Sequence, residues 1–466
     1  MQKHRLVCGV AVIAMTATAV ATEYPLTFQT LTVDEAMAFP GGSGAYGSLS
    51  VNKPPSLRKE PKAVSKRPLY GEVGRTGEGK GLVFRVDEVG GDGKGYDRVI
   101  VDFNQNGDLT DDPIGSLAAK SQTTKSAAEV RETSRFGPMK APVTKQIGPW
   151  QPVYYAELIY YHSRPGLSSS LPSAYLGQFR LKAGFYLETT VELDGVKQRV
   201  GVVDGDANLR LGDESKPMTY KSSGVENWYF APADSYLQDR DGSGKFESNA
   251  ANTESSPFGS MLYFGATPYR VGLAADRTSL RVEPWSDALA ELVVQPRGEQ
   301  VRDVLLAWER STKEWVLIKA GVAQGKTKVP PGNLRFSGCV LAGQAAPDEQ
   351  LMISGSYRKL DHSIKTRVGQ TATLRCGPPL EMRVTTLERK VSELPNPPDG
   401  ASEDNKARGA LSDVVLQIRA ELVGAAGETC SAFAAGRNLA GEPPKPRFTI
   451  LTRDGKEVAS GNLEFG

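Results

Sequence analysis

Three stretches of this chain begin as a β-strand and end in oxygen-bearing side chains at alternate positions. Residues 97–112 read DRVIVDFNQNGDLTDD, in which β-branched residues alternate with polar ones before Asp102, Asn104 and Asn106 follow at every second position. Gly107 stands sixth in line from Asp102, where a sharp turn needs a residue without a side chain. Oxygen donors spaced in this way converge on one point when the backbone coils, so each strand is expected to end in a tightly folded loop.

Each loop carries the pattern D-x-[D/N]-x-[N/S], which resembles the first half of a calcium loop. Calcium binds six to eight oxygens, from carboxylates, side-chain amides and backbone carbonyls. The sequence therefore predicts structural calcium. The predicted metal ligands are Asp102, Asn104, Asn106, Asp108 and Asp111 in the first loop, Asp204, Asp206, Asn208 and Asp213 in the second, and Asp239, Asp241, Ser243, Lys245 and Glu247 in the third.

The loops depart from a complete EF-hand at the position of the closing glutamate. Pro113 and Ala250 stand twelfth in the first and third loops, so Asp111 or Asp112 has to close the first loop and Glu247 the third. In the second loop Leu209 replaces the glycine. The alternative is that these residues cap hairpins through Asx turns without any metal, because Asp, Asn and Gly are also turn formers.

The first and third loops resemble the half-EF-hand loops of dockerins and thrombospondin type 3 repeats. This resemblance covers some ten residues in each loop and implies structural calcium at Asp102, Asn104, Asn106, Asp239, Asp241 and Ser243. Dockerin loops are followed by helices, and Pro113 argues against a helix after the first loop. The layout of the whole chain is similar to uncharacterised secreted multidomain β proteins of planctomycete-type bacteria, a similarity that implies no activity.

Composition favours an all-β fold. The chain has 466 residues with 49 glycines and 30 prolines, which is typical of many short strands joined by turns. We expect a hairpin-rich β module with the acidic loops, followed by two β-sandwich modules of Ig-like or prealbumin-like type. The formal net charge of +2 gives no support for a nucleic-acid partner.

The chain divides into five predicted segments. Thr32 and Glu35 form a capping-box pattern for a short helix in the second segment, and the polar residues 113–140 are expected to be mostly loop. The segments are a signal peptide at 1–21, a flexible N-terminal segment at 22–65, the acidic-loop module at 66–288, a β-sandwich module at 289–378, and an Ig-like β-sandwich module at 379–466 with a disordered insertion near 395–408.

The N-terminus predicts export. A basic start at residues 2–5 precedes an apolar run, and the small residues Ala19 and Ala21 fit a cleavage site. The alternative is a membrane anchor, for which the apolar run is short. Cleavage would remove Cys8 and leave no predicted membrane span. The three remaining cysteines permit one disulfide and one thiol, or three thiols in strands; they are Cys339, Cys376 and Cys430.

No motif of a known catalytic chemistry is complete in this sequence. His162 and His362 lie far apart and outside any HExxH pattern, and no G-x-S-x-G motif occurs. Residues 74–81 imitate a phosphate loop, but a strand follows where a helix is needed. The sequence thus favours an exported calcium-binding protein that binds a polysaccharide or an envelope or extracellular protein. The alternative is a calcium-dependent carbohydrate-active hydrolase that uses Asp or Glu residues of the first module.

Overall fold

The computed structural model confirms the all-β fold class. One short helix, α1 (Val33–Ala38), and one 3-10 turn, Gly298–Gln300, are the described helical elements. None of the described helices has the length and apolar character to cross a membrane. The structure describes residues 21–42, 44–74, 81–91, 95–125, 130–163, 176–193, 195–222, 225–230, 233–240, 242–246, 254–259, 261–312, 314–346, 349–357, 362–390, 414–436, 447–451 and 454–462. The predicted signal peptide, except residue 21, and the predicted insertion near 395–408 lie outside these residues.

The described residues before residue 288 form nineteen strands. They are β1 (Thr22–Pro25), β2 (Thr27–Thr30), β3 (Ala45–Ser48), β4 (Leu69–Val73), β5 (Leu82–Asp87), β6 (Arg98–Val101), β7 (Ile114–Lys125), β8 (Val130–Lys140), β9 (Val153–Ser163), β10 (Gly177–Ala183), β11 (Phe185–Leu193), β12 (Val196–Val203), β13 (Pro217–Ser222), β14 (Val225–Phe230), β15 (Ser235–Gln238), β16 (Ser255–Pro257), β17 (Met261–Phe264), β18 (Thr267–Leu273) and β19 (Ser279–Pro284).

An eight-stranded antiparallel sheet forms the largest part of the first module. Its order is β3-β10-β9-β8-β7-β6-β5-β4, and its two outer strands approach each other where Ser50 and Tyr70 exchange two backbone hydrogen bonds of 2.8 Å. Glycine is required at this approach, because a Cβ on Gly47 would lie 2.3 Å from the Glu72 carbonyl oxygen. The sheet therefore encloses an apolar interior in which Phe84 and Phe179 stack.

Two further sheets complete the core of the first module. A five-stranded sheet has the order β16-β15-β12-β11-β2, and a four-stranded sheet has the order β1-β19-β18-β17. Buried residues of all three sheets form one continuous hydrophobic cluster. Tyr154 of β9 lies inside it, between Phe103 and Phe185, with ring centroids 5.4 and 5.8 Å away. The acidic loops follow β6, β12 and β15 and so leave from the ends of core strands.

The structure differs from the predicted flexible segment at 22–65. Its first half supplies strands to all three sheets, since β1 pairs with β19, β2 with β11 and β3 with β10. The capping box at α1 is present: the Thr32 hydroxyl accepts a bond from the Glu35 N–H, and Glu35 accepts one from the Thr32 N–H. These strands are short, and their pairing partners lie far along the chain, so local composition did not reveal them.

The proline-rich residues 52–65 also differ from the prediction, because they pack on the first acidic loop. The N–H groups of Arg58 and Lys59 both donate to the Gly107 carbonyl, at 2.8 and 3.0 Å. Leu57 is buried in a small apolar cluster that includes Leu109. Prolines keep this segment extended, which suits a strand-like contact with the loop.

Residues 113–140, which were expected to be mostly loop, form the long strands β7 and β8. These strands pair with each other, and β8 also pairs with β9. Serine and threonine are compatible with a strand when neighbouring strands supply the partners, and polarity alone did not distinguish such a strand from a loop.

After residue 288, the part of the chain that the structure describes forms thirteen strands. They are β20 (Ala290–Gln295), β21 (Val301–Ser311), β22 (Glu314–Gly321), β23 (Lys326–Val329), β24 (Gly332–Ala346), β25 (Glu349–Ser356), β26 (Ser363–Thr366), β27 (Thr371–Arg375), β28 (Glu381–Lys390), β29 (Val414–Val423), β30 (Thr429–Gly436), β31 (Arg447–Leu451) and β32 (Glu457–Asn462).

The second module has two sheets that share one core. One sheet has the order β23-β20-β27, and the other has the order β22-β21-β24-β25-β30-β29-β28, with β26 beside β24. Strand β30 lies beyond the predicted boundary near residue 378 and pairs with β25 along its length. Strands β28, β29 and β30 of the third predicted module are therefore continuous with the sheet of the second, whereas β31 and β32 pair with each other in a separate two-stranded sheet.

The first and second modules are joined by packing and by charge. Tyr263 of β17 belongs to the core of the second module, and a Cβ on Gly321 would lie 1.8 Å from the Gly265 carbonyl oxygen. The Arg240 guanidinium, in the third acidic loop, donates to the fully buried carboxylate of Asp303 at 2.7 Å. This contact ties an acidic loop of the first module to the second.

Candidate metal centre

The three acidic loops share one backbone conformation. In each loop the fourth and sixth residues have positive φ. Leu209 adopts φ 69° in the second loop although it has a side chain, at a cost of about 1–2 kcal/mol. The φ values at these two positions are 56° and 74° at Gln105 and Gly107, 52° and 69° at Ala207 and Leu209, and 72° and 76° at Gly242 and Gly244.

Hydrogen bonds from the backbone to the first aspartate maintain this conformation. The N–H of the sixth residue donates to Oδ2 of that aspartate in every loop: Gly107 to Asp102 at 2.9 Å, Leu209 to Asp204 at 3.2 Å, and Gly244 to Asp239 at 2.9 Å. The seventh N–H donates to the side-chain oxygen of the fifth residue in each loop, which is Asn106, Asn208 or Ser243. The sequence similarity of the loops thus corresponds to one structure.

The second loop contains a buried cluster of three carboxylates. One oxygen each of Asp204, Asp206 and Asp234 lies within 4.8 Å of the others. The three residues are 1%, 4% and 1% exposed, so they are shielded from water. Asp204 directly follows β12 and Asp234 immediately precedes β15, and these two strands are neighbours in the five-stranded sheet. These three residues can hold a metal ion.

Two members of the cluster are positioned by several donors. Asp234 accepts N–H bonds from Gly205 through Oδ1, and from Gly212 and Asp213 through Oδ2, at 2.6–3.0 Å. Asp204 accepts the phenolic O–H of Tyr154 at 2.6 Å in addition to its loop bonds. Oδ2 of each residue accepts two of these bonds, whereas Oδ1 accepts one and keeps a second lone pair that can bind a cation.

Asp206 is the member whose bonding is incomplete. Its Oδ2 accepts the Asn208 amide at 3.1 Å, but its buried Oδ1 has no hydrogen-bond partner among the described residues. Burial, followed by repulsion from Asp204 and Asp213, raises the pKa of Asp206 to about 8. Burial also raises the pKa of Asp204 to about 6 and that of Asp234 well above its usual range. The metal-free cluster therefore retains protons near neutral pH, and a cation would displace them.

Asp234 was not among the predicted ligands. It lies 29 residues from Gly205, whose N–H it accepts, and the sequence around it carries no alternating donors. The one local signal is an aspartate directly before a short apolar strand. The predicted closing residue, Asp213, is only half-buried; its Oδ2 accepts the Asn208 amide at 2.6 Å.

In the first loop Asp112 occupies the buried position and Asp111 the exposed one. Oδ1 of Asp112 accepts the Phe103 N–H at 3.0 Å, while Oδ2 is buried without a partner. Burial, followed by repulsion from Asp102, raises the pKa of Asp112 to about 7. Asp111 accepts the side-chain amides of Asn104 and Asn106. The second carboxylate that the structure brings towards Asp102 is therefore that of Asp112.

Asp108 was predicted to contribute its carbonyl. Its side chain forms a 2.8 Å ion pair with Lys59 of the proline-rich segment. Hydrogen bonds from Lys59, followed by those from Thr110, lower the pKa of the Asp108 carboxyl to about 2. This ion pair holds the loop against the segment that covers it.

The third loop is the most exposed of the three. Asp239 is partly buried, and its Oδ1 has no hydrogen-bond partner among the described residues. Ser243 and Lys245 are exposed, and the Arg199 guanidinium donates to the carbonyl of Gly244 between them. The predicted ligands Asp241 and Glu247 lie outside the described residues.

Two surface clefts lie outside the acidic loops. One runs between the first and second modules and is lined by Tyr269, Trp285, Lys326 and Lys328, with Glu291 as its carboxylate. Glu291 pairs with Lys326 at 3.4 Å. The other cleft lies beside β3 and contains Glu72 as its carboxylate. Each of these clefts therefore offers one carboxylate, where acid–base hydrolysis of a glycoside uses two.

No protein-family model, curated protein or solved structure matches this chain.

Proposed function

We propose that this chain is an exported β protein that uses Ca²⁺ as a structural ion. The observation that carries the proposal is the buried cluster of Asp204, Asp206 and Asp234, together with the unpartnered Oδ1 of Asp206. Three carboxylates inside an apolar core are destabilising unless a cation or protons neutralise them. A divalent ion would neutralise two of the three charges and give Asp206 a partner.

The donor set favours calcium among divalent ions. All three ligands are carboxylates, and hard oxygen donors suit Ca²⁺ and Mg²⁺ rather than thiophilic metals. Magnesium usually keeps several of its waters, whereas this cluster is almost wholly buried. The other two loops have the same positive φ at their fourth and sixth residues. Asp112 and Asp239 each have a buried oxygen without a hydrogen-bond partner among the described residues, and both observations support further ions there.

We further propose that the protein acts as a binding or structural module for a polysaccharide or for a protein of the cell envelope or extracellular space. The cleft between the modules supports this role, because it combines the aromatic rings of Tyr269 and Trp285 with the cations Lys326 and Lys328. Ligand sites commonly combine apolar rings with a few polar groups at such junctions. No observation favours the hydrolase alternative specifically.

Calcium titration of the chain from residue 22 onward tests the metal. We expect binding of Ca²⁺ with a rise in melting temperature, and we expect Asp234→Asn to lose both effects at the second loop. Asp287→Asn, which alters an exposed carboxylate on the surface, is the matched control. If millimolar Ca²⁺ leaves the melting temperature of the wild type unchanged, the metal proposal is wrong.

A glycan array and an envelope-fraction pull-down test the partner with the same sample. Trp285→Ala is expected to weaken binding, while Trp315→Ala, in β22 outside the cleft, is expected to leave it unchanged. If both variants bind equally, the cleft is not the binding site, and the calcium proposal is unaffected.

A further inference from the structure

The three cysteines outside the predicted signal peptide converge in the core of the second module. Cys339 lies in β24, Cys376 directly follows β27, and Cys430 lies in β30; all three are buried, and none forms a disulfide. The sulfurs of Cys339 and Cys376 and an oxygen of Glu428 lie within 4.8 Å of one another. Glu428 immediately precedes β30, so four ligand-type side chains come from three separate parts of the chain.

Two glycines leave the space that this cluster occupies. Gly355 pairs with both Cys339 and Cys430, and a Cβ on it would lie 3.7 and 3.6 Å from their sulfurs. A Cβ on Gly424 would lie 2.1 Å from Oε1 of Glu428. The sulfurs of β24 and β30, the two strands on either side of β25, and the carboxylate therefore face one small volume that side chains at these two positions would fill.

The carboxyl group of Glu428 has no cationic side chain as a partner among the described residues. The residue is fully buried, and the described partners of its carboxylate are the N–H groups of Gly377 and Ala426 and the thiol of Cys339, at 3.7 Å. No Lys, Arg or His of the described chain forms an ion pair with it. A buried carboxylate is strongly destabilised unless it is paired or binds a metal.

We propose that Cys339, Cys376, Cys430 and Glu428 form a binding site for a thiophilic divalent ion, of which zinc is the best fit. Zinc binds thiolate and carboxylate ligands tetrahedrally, with two sulfurs about 3.8 Å apart at a Zn–S distance of about 2.3 Å. The sulfurs of Cys339 and Cys376 and the oxygen of Glu428 need only small side-chain movements from their spread within 4.8 Å to reach that geometry, and the sulfur of Cys430, which lies outside this group of three, needs a larger one. Hard ions such as Ca²⁺ disfavour sulfur, so this site is chemically distinct from the acidic loops.

Binding would convert the three thiols to thiolates and release their protons. The ion would join β24, the end of β27 and the turn before β30. It would thereby fasten β30, which lies beyond the predicted boundary near residue 378, to the core of the second module. Because the unfolded chain cannot assemble these ligands, binding would stabilise the folded state.

Cobalt(II) titration tests this site in the reduced chain from residue 22 onward, with excess calcium present to occupy the acidic loops. We expect one equivalent of Co²⁺ to give thiolate-to-cobalt charge-transfer absorption, and zinc to displace it. Cys376→Ser and Glu428→Gln are each expected to weaken binding by about 10-fold or more. Val340→Ala, which shortens a buried side chain next to Cys339 on the other face of β24, is expected to retain affinity within about 2-fold.

A second measurement keeps the test decisive if a cysteine variant fails to fold. Zinc is expected to protect Cys339, Cys376 and Cys430 of the folded wild type from alkylation, as read by peptide mass spectrometry, and calcium is expected not to do so. The absence of a charge-transfer band in the folded, reduced wild type would overturn the proposal. So would a Cys339–Cys376 disulfide in the isolated protein whose reduction restores no metal binding.

Discussion

Replacement of Asp206 by asparagine is expected to change how the stability of the metal-free protein depends on pH. The pKa of Asp206 is raised to about 8 in the folded protein, compared with about 3.9 in an unfolded chain. The folded state therefore holds this proton more tightly than the unfolded state. Its contribution to stability is complete below about pH 4 and is lost as the pH rises through about 8.

The size of the effect follows from this difference in pKa. Between about pH 5 and pH 8 the unfolded carboxyl is ionised while the folded one remains protonated, and each pH unit costs about 1.4 kcal/mol. Asp206 alone should therefore take about 4 kcal/mol from the stability of the metal-free wild type over this range, or about 4 °C in Tm at an unfolding entropy of about 2.1 cal/mol/K per residue. Asp206→Asn lacks this titrating group but keeps Asp112, Asp204 and Asp234, so its Tm should fall less than that of the wild type by about this amount.

Calcium is expected to reverse the order of stability of the wild type and Asp206→Asn. The ion binds the deprotonated cluster, so the wild type should gain about 2.7 kcal/mol at a calcium concentration 100-fold above Kd, and the gain should grow with pH. Asp206→Asn should gain less because it lacks one carboxylate.

Calorimetry in chelator and in calcium, at both pH values, measures these effects, with the exposed Asp287→Asn as control. The reasoning fails if wild type and Asp206→Asn lose Tm in parallel between pH 5 and pH 8 in chelator.

Three further substitutions test other contacts. Tyr154→Phe removes the hydroxyl donated to the acidic cluster and should cost about 1–3 kcal/mol in urea unfolding; an unchanged free energy of unfolding would count against this bond. Gly321→Ala places a Cβ 1.8 Å from a backbone oxygen of the facing turn and should cost at least about 2 kcal/mol, whereas Gly272→Ala, with open space around it, should cost far less. Arg240→Gln deprives buried Asp303 of a partner and should cost about 3 kcal/mol, measured by thermal unfolding. Equal Tm values for the two glycine variants, or an unchanged Tm for Arg240→Gln, would contradict these assignments.

Features that depend on neighbouring residues could be predicted from the sequence. The alternation before Asp102 predicted a strand that ends in a loop, and β6 ends at Val101. The Thr32–Glu35 pattern predicted the helix start that the structure shows. Both signals lie within a few residues of the element that they specify, so propensity and spacing were sufficient.

Features that depend on distant residues could not be predicted in this way. Asp234 joins the second loop because β15 pairs beside β12, and that pairing is not encoded near Asp234. Residues 58 and 59 are ordered by the carbonyl of Gly107 rather than by their own composition. The cluster around Glu428 likewise draws on separate strands, each of which contributes one or two ligand-type residues.

Leu209 shows how a local rule was overridden. Its presence at the glycine position suggested a poorer loop, yet its backbone has the same left-handed conformation as Gly107 and Gly244. The side chain is buried in the core of the first module, and its N–H bonds to Asp204. Apolar burial of a leucine is worth about 1.5–3 kcal/mol, which is enough to offset the cost of the conformation.

Arg240 stands between two predicted donor positions of the third loop, and its guanidinium is bound by Asp303 of the second module. An ion in that loop and the docking of the two modules therefore act on the same few backbone atoms. Such coupling is reciprocal. If docking of the second module raises the affinity of the loop for an ion by some factor, binding of the ion strengthens the docking by the same factor. The occupancy of the third loop by an ion would then depend on whether the junction between the modules is intact.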